Sequence, residues 1–175
     1  TVVGSGKKSR VKTISTFDGE LEEAWAPMSV TLTLEDEIDI SRGDLIASGT
    51  PPAASRHFEA TLVWMNERPL DTTRRYLIKH TTQLAPAEIS TVKHRVNVGT
   101  LEGEPAETLE LNHIGVVEID MMRPIYFDSY HQNHRTGSFV VIDATTNATV
   151  GAGMIARETH PRRASGPLER KTAVL

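Results

Sequence analysis

The clearest pattern along the chain is a period of two in its apolar residues, which occurs in two places. In Met28–Leu34 the residues at 28, 30, 32 and 34 are apolar, with Ser or Thr between them. In the second place the apolar Phe58, Ala60, Leu62 and Trp64 alternate with the residues at 59, 61, 63 and 65. A period of two is that of a β-strand with one buried face. The sequence therefore predicts two half-buried strands, one in each part of the chain.

Other apolar and β-branched runs predict further strands. They are Tyr76–His80, Glu88–Val98, Ile114–Met121, Phe139–Ile142 and Thr149–Ile155. The last two runs are joined by polar turn residues and end near Gly151 and Gly153, so we expect a hairpin that closes a barrel. One short stretch, Pro105–Leu111, predicts a helical turn. The fold class that follows is all-β, built as two small antiparallel β-barrels.

The domain organisation is read from a break in composition at Ser48–Ser55, which holds a Gly and two Pro residues. We expect residues 1–48 to be the later part of one barrel, 49–55 a linker, 56–155 a second barrel, and 156–175 a tail. The first residues look like the middle of a strand, so we interpret the chain as a fragment. An incomplete barrel has unpaired strand edges. We therefore expect these edges either to pair with the second barrel or to form a homodimer.

Composition narrows the function classes. The 175 residues carry a formal net charge of −4, which disfavours a nucleic-acid-binding surface. The absence of cysteine excludes disulfides, thiolate zinc sites and cysteine nucleophiles. No apolar run is long enough for a membrane-spanning helix. We expect a cytoplasmic protein without a membrane partner.

Three short motifs contain residue types that could bind phosphate, transfer protons or bind a metal ion. Gly4–Ser9 lacks a phosphate-binding loop's spacing, and Lys8 stands where Ser or Thr is needed, so a turn is expected. The acidic run Glu35–Asp39 is expected to be solvated rather than catalytic. His131 and His134 are three residues apart, but their segment has loop composition, so a metal site is not expected. A Ser/His/Asp triad stays open, although no motif points to one.

The predicted loop from Asp128 to Gly137 is instead a candidate interaction loop. Loops on a rigid scaffold carry a large share of binding residues. Its candidate residues combine aromatic, polar and charged groups, and they are Asp128, Tyr130, His131, Asn133 and Arg135. We expect no catalytic, cofactor-binding or metal-binding residue in the chain.

Several longer motifs carry a family resemblance that covers Val2 to Ile155. They are Thr31–Asp44, His57–Met65, Arg68-Pro69-Leu70, Tyr76–Lys79, Tyr130-x-x-Asn133-x-x-Thr136-Gly137, Ile142-Asp143 and Asn147-x-Thr149-Val150-Gly151-Ala152-Gly153-Met154. As a set they resemble the large, GTPase subunit of bacterial sulfate adenylyltransferase. That family is similar to elongation factor Tu, with a GTPase domain followed by domain II-like and domain III-like barrels.

The resemblance implies a function for the parent protein. In the family, a complex makes adenylyl sulfate from ATP and sulfate for sulfate assimilation, and GTP hydrolysis by the large subunit drives the reaction. GTP, ATP and Mg are therefore implied for the parent complex. The partners implied are the small subunit, which carries out the adenylyl transfer, and the protein's own GTPase domain. Some members are fused to an adenylylsulfate kinase, and the tail after Ile155 would suit a linker to it.

The chain departs from the family in one respect. It contains no Asp-x-x-Gly, no Asn-Lys-x-Asp and no phosphate-binding loop, so none of its residues inherits a nucleotide-binding role. The resemblance then implies a non-catalytic docking and coupling module. Two alternatives are a translation-factor-like RNA-binding module, which needs a basic face, and a stand-alone β-barrel enzyme, which needs a deep reactive pocket.

Overall fold

The structure is a computed structural model that describes residues 1–160 and, within them, contains ten strands and no helix. The strands are β1 (Val11–Thr16), β2 (Gly19–Leu21), β3 (Thr31–Leu34), β4 (Ala53–Trp64), β5 (Arg75–His80), β6 (Gln83–Val96), β7 (Gly103–Glu104), β8 (Ile114–Phe127), β9 (Ser138–Asp143) and β10 (Thr149–Glu158). The predicted all-β fold class is confirmed. No helix that could span a membrane is found in this part of the chain.

Six of the strands form a closed antiparallel barrel. Their order is β5-β9-β10-β4-β8-β6, and β6 pairs again with β5, so the sheet closes on itself. The predicted hairpin of Phe139–Ile142 and Thr149–Ile155 is confirmed as β9 paired with β10. Closure leaves the barrel strands with few unpaired backbone groups.

The barrel interior is filled by the alternating residues. Phe58, Ala60, Leu62 and Trp64 are all buried on β4, as their period of two predicts. Facing residues of the other strands complete one core that includes Ile78, Ile89, Val117, Ile119, Ile125, Phe139, Val141 and Ile155. Burial of these side chains removes apolar surface from water and is the main stabilising term.

Gly153 gives a specific reason for a small residue on β10. A Cβ atom at this position would lie 2.2 Å from the ring of Phe139 on the neighbouring strand. The glycine therefore lets the Phe139 ring occupy the core, where it packs edge-on against Phe58.

The strands are longer than the sequence predicts. β4 begins at Ala53, inside the segment expected to be a linker, because residues 53–55 pair with 125–127 of β8. β10 continues to Glu158, inside the expected tail, because it pairs with Phe58 and Glu59. Residues 161–175 of that tail lie outside the described residues.

The helical turn predicted for Pro105–Leu111 is wrong, because the segment is irregular. Leu109 is fully buried, and its carbonyl accepts a hydrogen bond from the N–H of Leu70 at 2.9 Å. Thr108 donates its hydroxyl to the carbonyl of Leu70 at 2.6 Å. The backbone thus bonds to another loop at the barrel end instead of to itself, as a helix would require.

The first part of the chain forms a separate three-stranded sheet in the order β2-β1-β3. Only Thr31–Leu34 of the predicted Met28–Leu34 strand is regular, and its predicted buried face is wrong. Leu32 is 38% exposed, while Met28, Val30 and Leu34 are half-buried. The reason is that β1 to β3 contact mainly one another, so no second layer of the described residues covers the apolar face.

The short motifs in this region form turns, as predicted. Gly6 donates its N–H to the carbonyl of Val2 at 2.9 Å, and Asp44 donates to Ser41 at 3.0 Å. Among the described residues, no strand of the small sheet pairs with the barrel, so the first expectation for its unpaired edges is wrong. The first part of the chain is instead bonded to the barrel at the 41–44 turn, where Gln83 of β6 donates to Gly43. The homodimer stays a prediction.

Candidate functional site

The predicted interaction loop connects β8 to β9 and is held firmly on the barrel. Tyr130 donates its N–H to the carbonyl of Ile155 at 2.8 Å, and Ile155 donates its N–H to Gly137 at 2.7 Å. Both ends of the loop are therefore bonded to the same residue of β10. This fixes the loop in one place on the rigid scaffold.

Asp128 and Asn133 bond to the loop itself. Asp128 accepts hydrogen bonds from the hydroxyl of Thr136 at 2.7 Å and from the amide of Asn133 at 3.5 Å. Asn133 in turn accepts the N–H of Arg135 through its side chain at 3.1 Å. These two predicted site residues thus shape the loop from within, and neither lines the groove described below.

Gly137 is required by a close backbone approach. A Cβ atom there would lie 2.4 Å from the Cα of Tyr130 and 2.8 Å from the carbonyl oxygen of Asn133. Backbone atoms cannot move away as a flexible side chain can. Only glycine fits at this close approach between the two ends of the loop.

His80 supports the loop from inside the barrel. Its Nε2 lies 2.7 Å from the carbonyl oxygen of Thr136, and because a carbonyl only accepts, Nε2 carries the hydrogen. The ring is 2% exposed. Burial lowers the pKa of His80, and the hydrogen bond to Thr136 only partly opposes this shift.

Beside the loop lies a groove of about 650 Å³, here called the loop groove. Its polar lining includes Tyr130 and Arg135 of the loop and Lys79 of β5. The remaining lining is largely apolar and consists of Val63, Thr81, Ser138, Phe139, Val140, Ala152, Gly153 and Met154. A groove lined mostly by apolar residues, with a few polar and charged groups among them, is typical of a binding surface.

The structure divides the five predicted site residues. Tyr130 and Arg135 line the loop groove, whereas His131 is exposed and does not. Sequence reasoning missed His134, whose ring stacks on Tyr130 with centroids 4.3 Å apart. It also missed Lys79, which comes from β5 and is 51 positions before Tyr130. No sequence signal joins residues so far apart, except that both occur in motifs of the family resemblance.

A second cluster lies on the outer face of the barrel. Lys93 bonds to Glu59 at 2.6 Å and to Glu118 at 2.8 Å, and Arg157 bonds to Glu59 at 3.0 Å. Burial raises the pKa of Glu59, but hydrogen bonds from Lys93 and Arg157 lower it, and the net pKa is below the usual value. Charges that satisfy one another in this way are typical of a structural network.

A nearby groove brings His57, Ser90 and Asp120 together. His57 Nδ1 lies 2.5 Å from a carboxylate oxygen of Asp120, and Ser90 lines the same groove. The Ser90 hydroxyl, however, donates to the carbonyl of Glu118 at 3.3 Å. The Ser90 hydroxyl is therefore bonded to the backbone rather than to His57. Residues 1–160 hold no group of three or more His, Cys, Asp or Glu that could bind a metal ion.

A closed six-stranded antiparallel barrel with a small companion sheet defines the fold of the described residues. Crystal structures of sup35, complexed with GDP and with GMPPNP, share this fold with a TM-score of 0.80. Each comparison covers 91% of this chain and 40% of the other, at 16% sequence identity.

The family model that matches residues 57–156 is the GTP-eEF1A C-terminal domain-like family, and the chain belongs to it. Curated relatives are closer in sequence. The bifunctional enzyme CysN/CysC of Rhodopirellula baltica is 51% identical over 89% of this chain and 24% of its own length. Sulfate adenylyltransferase subunit 1 of Alteromonas mediterranea is 49% identical over 90% of this chain and 34% of its own length. The same subunit of Shewanella woodyi is 52% identical over 86% of this chain and 32% of its own length.

These relatives confirm the resemblance drawn from the motifs. The chain spans about a quarter to a third of their length.

Proposed function

We propose that this chain is the non-catalytic β-barrel part of the large subunit of a GTP-dependent sulfate adenylyltransferase. The observation that carries the proposal is the identity of about half of all residues to relatives named subunit 1, over nearly the whole described chain. The complete protein would take part in making adenylyl sulfate from ATP and sulfate. GTP, ATP and Mg would bind to other parts of the complex.

The role of the barrel in this proposal is docking and coupling. A closed barrel moves as a rigid body, so it can pass a rotation of a nucleotide-binding domain on to a partner. Residues 1–48 would belong to a domain II-like barrel and residues 56–155 to a domain III-like barrel, joined by 49–55. The tail after Ile155 would lead to an adenylylsulfate kinase in a fused form. The proposed location is the cytoplasm.

The loop groove is the proposed contact for the small subunit. Tyr130 and Arg135 belong to the residue types that dominate binding energy at interfaces. They line the groove together with apolar residues, on a loop that is bonded to the barrel at both ends. Such a preformed surface loses little conformational entropy when a partner binds.

The test is made in the intact polypeptide that contains this chain. Tyr130→Ala and Arg135→Ala leave the bonds of Asp128 and Asn133 in place, so the loop keeps its conformation. We expect each change to weaken binding of the small subunit at least about tenfold, as at interface hot spots. Binding is measured by biolayer interferometry, and the coupling by GTP hydrolysis with and without the small subunit.

Arg56→Ala is the matched control, because Arg56 is an exposed arginine of β4 that does not line the loop groove. It should bind like the unmodified protein. Equal binding and equal stimulation of GTP hydrolysis in all variants would contradict the docking role of the loop.

A further inference from the structure

A second concave surface lies where the small sheet region meets the barrel, and we call it the junction groove. It has a volume of about 630 Å³ and lies between the turn at Arg42–Asp44, the β5–β6 hairpin and residues 123–124 of β8. Its lining residues are Arg42, Gly43, Asp44, Lys79, Thr82, Gln83, Leu84, Ala85, Arg123, Pro124 and Ile142. The loop groove shares only Lys79 with it.

The turn that carries Arg42 is held against the barrel. Gln83 donates its side-chain amide to the carbonyl of Gly43 at 2.7 Å. Gly43 has φ of +104°, and a Cβ there would lie 3.3 Å from the Cγ of Gln83. A glycine is thus used both for the turn conformation and for the close approach. Because its neighbour Gly43 is bonded to β6, the backbone of Arg42 is held in position relative to that strand.

Three cations in this groove have no carboxylate partner among residues 1–160. They are Arg42, Lys79 and Arg123, and none forms an ion pair within the described part of the chain. The acidic lining residue is Asp44, and its carboxylate accepts the N–H of Ser41 at 2.8 Å within its own turn.

Several other cations of the barrel, in contrast, are paired. Arg74 contacts Asp143, Arg75 contacts Glu88, and Lys93 contacts two glutamates. Three unpaired cations in one concavity of a chain with net charge −4 form a local positive potential, which a concave shape strengthens.

The groove also offers an apolar surface. Leu84 is 58% exposed beside Lys79 and Gln83, and Pro124 and Ile142 lie on the same lining. The volume falls within the range of small-molecule sites and far exceeds that of a single phosphate. The groove therefore fits an elongated anion, with room for an attached ring over Leu84.

From this combination we propose that the junction groove binds a polyphosphate anion, which bridges Arg42 on one side and Lys79 and Arg123 on the other. Guanidinium groups favour phosphate through paired N–H donors, and the lysine adds a point charge. Because the cations come from two parts of the chain, the bound anion stabilises the contact between the small sheet region and the barrel. The anion is either inorganic polyphosphate or the phosphate chain of a nucleotide.

The experiment uses the purified 175-residue chain and two probes, tripolyphosphate and ATP without added metal. Isothermal titration calorimetry and the thermal midpoint are measured at low and high NaCl. We expect saturable binding by one anion per chain, a raised thermal midpoint, and weaker binding at high salt. Arg42→Gln and Arg123→Gln should each weaken binding about fivefold, as for a partly exposed charge pair, and the double variant should weaken it about 25-fold because the two losses add in free energy.

Lys79 is left unchanged because it also lines the loop groove, so a failure here does not bear on docking of the small subunit. Arg56→Gln is the control and should bind like the unmodified chain. The exposed Arg42 and Arg123 make no hydrogen bond or ion pair through their side chains within residues 1–160, so these variants should keep their thermal midpoints without anion.

The two sources of phosphate are distinguished by Leu84→Ser. Tighter binding of ATP than of tripolyphosphate, lost in Leu84→Ser, supports a nucleotide. Equal binding that is unaffected by this change supports an inorganic polyphosphate. Absence of saturable binding, or equal binding in the arginine variants and the control, overturns the proposal. Salt-sensitive binding of tRNA that depends on Arg42 and Arg123, with no binding of either probe, overturns it as well and favours an RNA surface.

Discussion

The small sheet and the barrel contain similar alternating sequences that have different structural outcomes. On β4, Leu62 is completely buried, whereas Leu32 on β3 is 38% exposed. Leu32 has a threonine on each side, Leu62 follows Thr61 and precedes Val63, and both leucines lie in antiparallel strands. The difference is that β4 belongs to a closed sheet whose inner face is covered on all sides, while β1 to β3 have no second layer in the described residues. Alternation thus predicts which side chains share a face, but it does not predict what covers that face.

The largest expected effect comes from making the same substitution in both regions. Leu62→Ala should lower the free energy of unfolding of the barrel by about 3 kcal/mol, since it leaves a cavity in a closed core. Leu32→Ala should lower it by less than about 0.5 kcal/mol, because its site is partly exposed. Urea unfolding followed by the fluorescence of the buried Trp64 measures both. Equal losses would contradict the contrast between the two regions.

A smaller effect is expected from adding one methyl group to a glycine. Gly137→Ala should destabilise the barrel by about 2 kcal/mol, because the new Cβ meets backbone atoms of Tyr130 and Asn133 that cannot move aside. Gly4→Ala in the small sheet region is the matched control, since its Cβ would meet only the hydroxyl of Tyr126 at 3.3 Å. Thermal unfolding compares the two variants. A Gly4 variant as unstable as the Gly137 variant would contradict the conclusion that the close backbone approach at Gly137 requires glycine.

The smallest effect is a dependence on pH that is specific to the barrel. Burial lowers the pKa of His80 in the folded protein, so the unfolded chain binds a proton first as pH falls below about 6.5. The stability contributed by neutral His80 is therefore complete above that pH and is lost as the pH falls toward the lowered pKa. His80→Gln keeps a donor for the carbonyl of Thr136 but does not titrate.

The measurement for His80 is the free energy of unfolding between pH 5 and pH 7.5. The unmodified chain should lose stability toward pH 5, and His80→Gln should lose less. A parallel loss in both proteins would assign the effect to other groups. The exposed His131 provides the control for the substitution itself, because His131→Gln makes the same change of side chain outside the core.

The candidate site was only partly predictable. The composition of 128–137 predicted an exposed connector, and Tyr130 and Arg135 do lie on a groove. The same composition did not reveal that Asp128 and Asn133 bond to the loop itself. Nor did it place Lys79 in the same groove as the loop residues, because that position depends on the pairing of β5 with β9.

By itself the sequence determined the all-β fold class, most strand positions, the closing hairpin and the family. Period-two alternation, turn residues and specific motifs are local properties of a chain, so each can be recognised without coordinates. Only the tertiary structure decided that the barrel closes through β5 and β6, that the face of β3 is uncovered, and that three cations meet at the junction groove. These features depend on contacts between distant segments, and burial and charge pairing are set by such contacts rather than by local pattern.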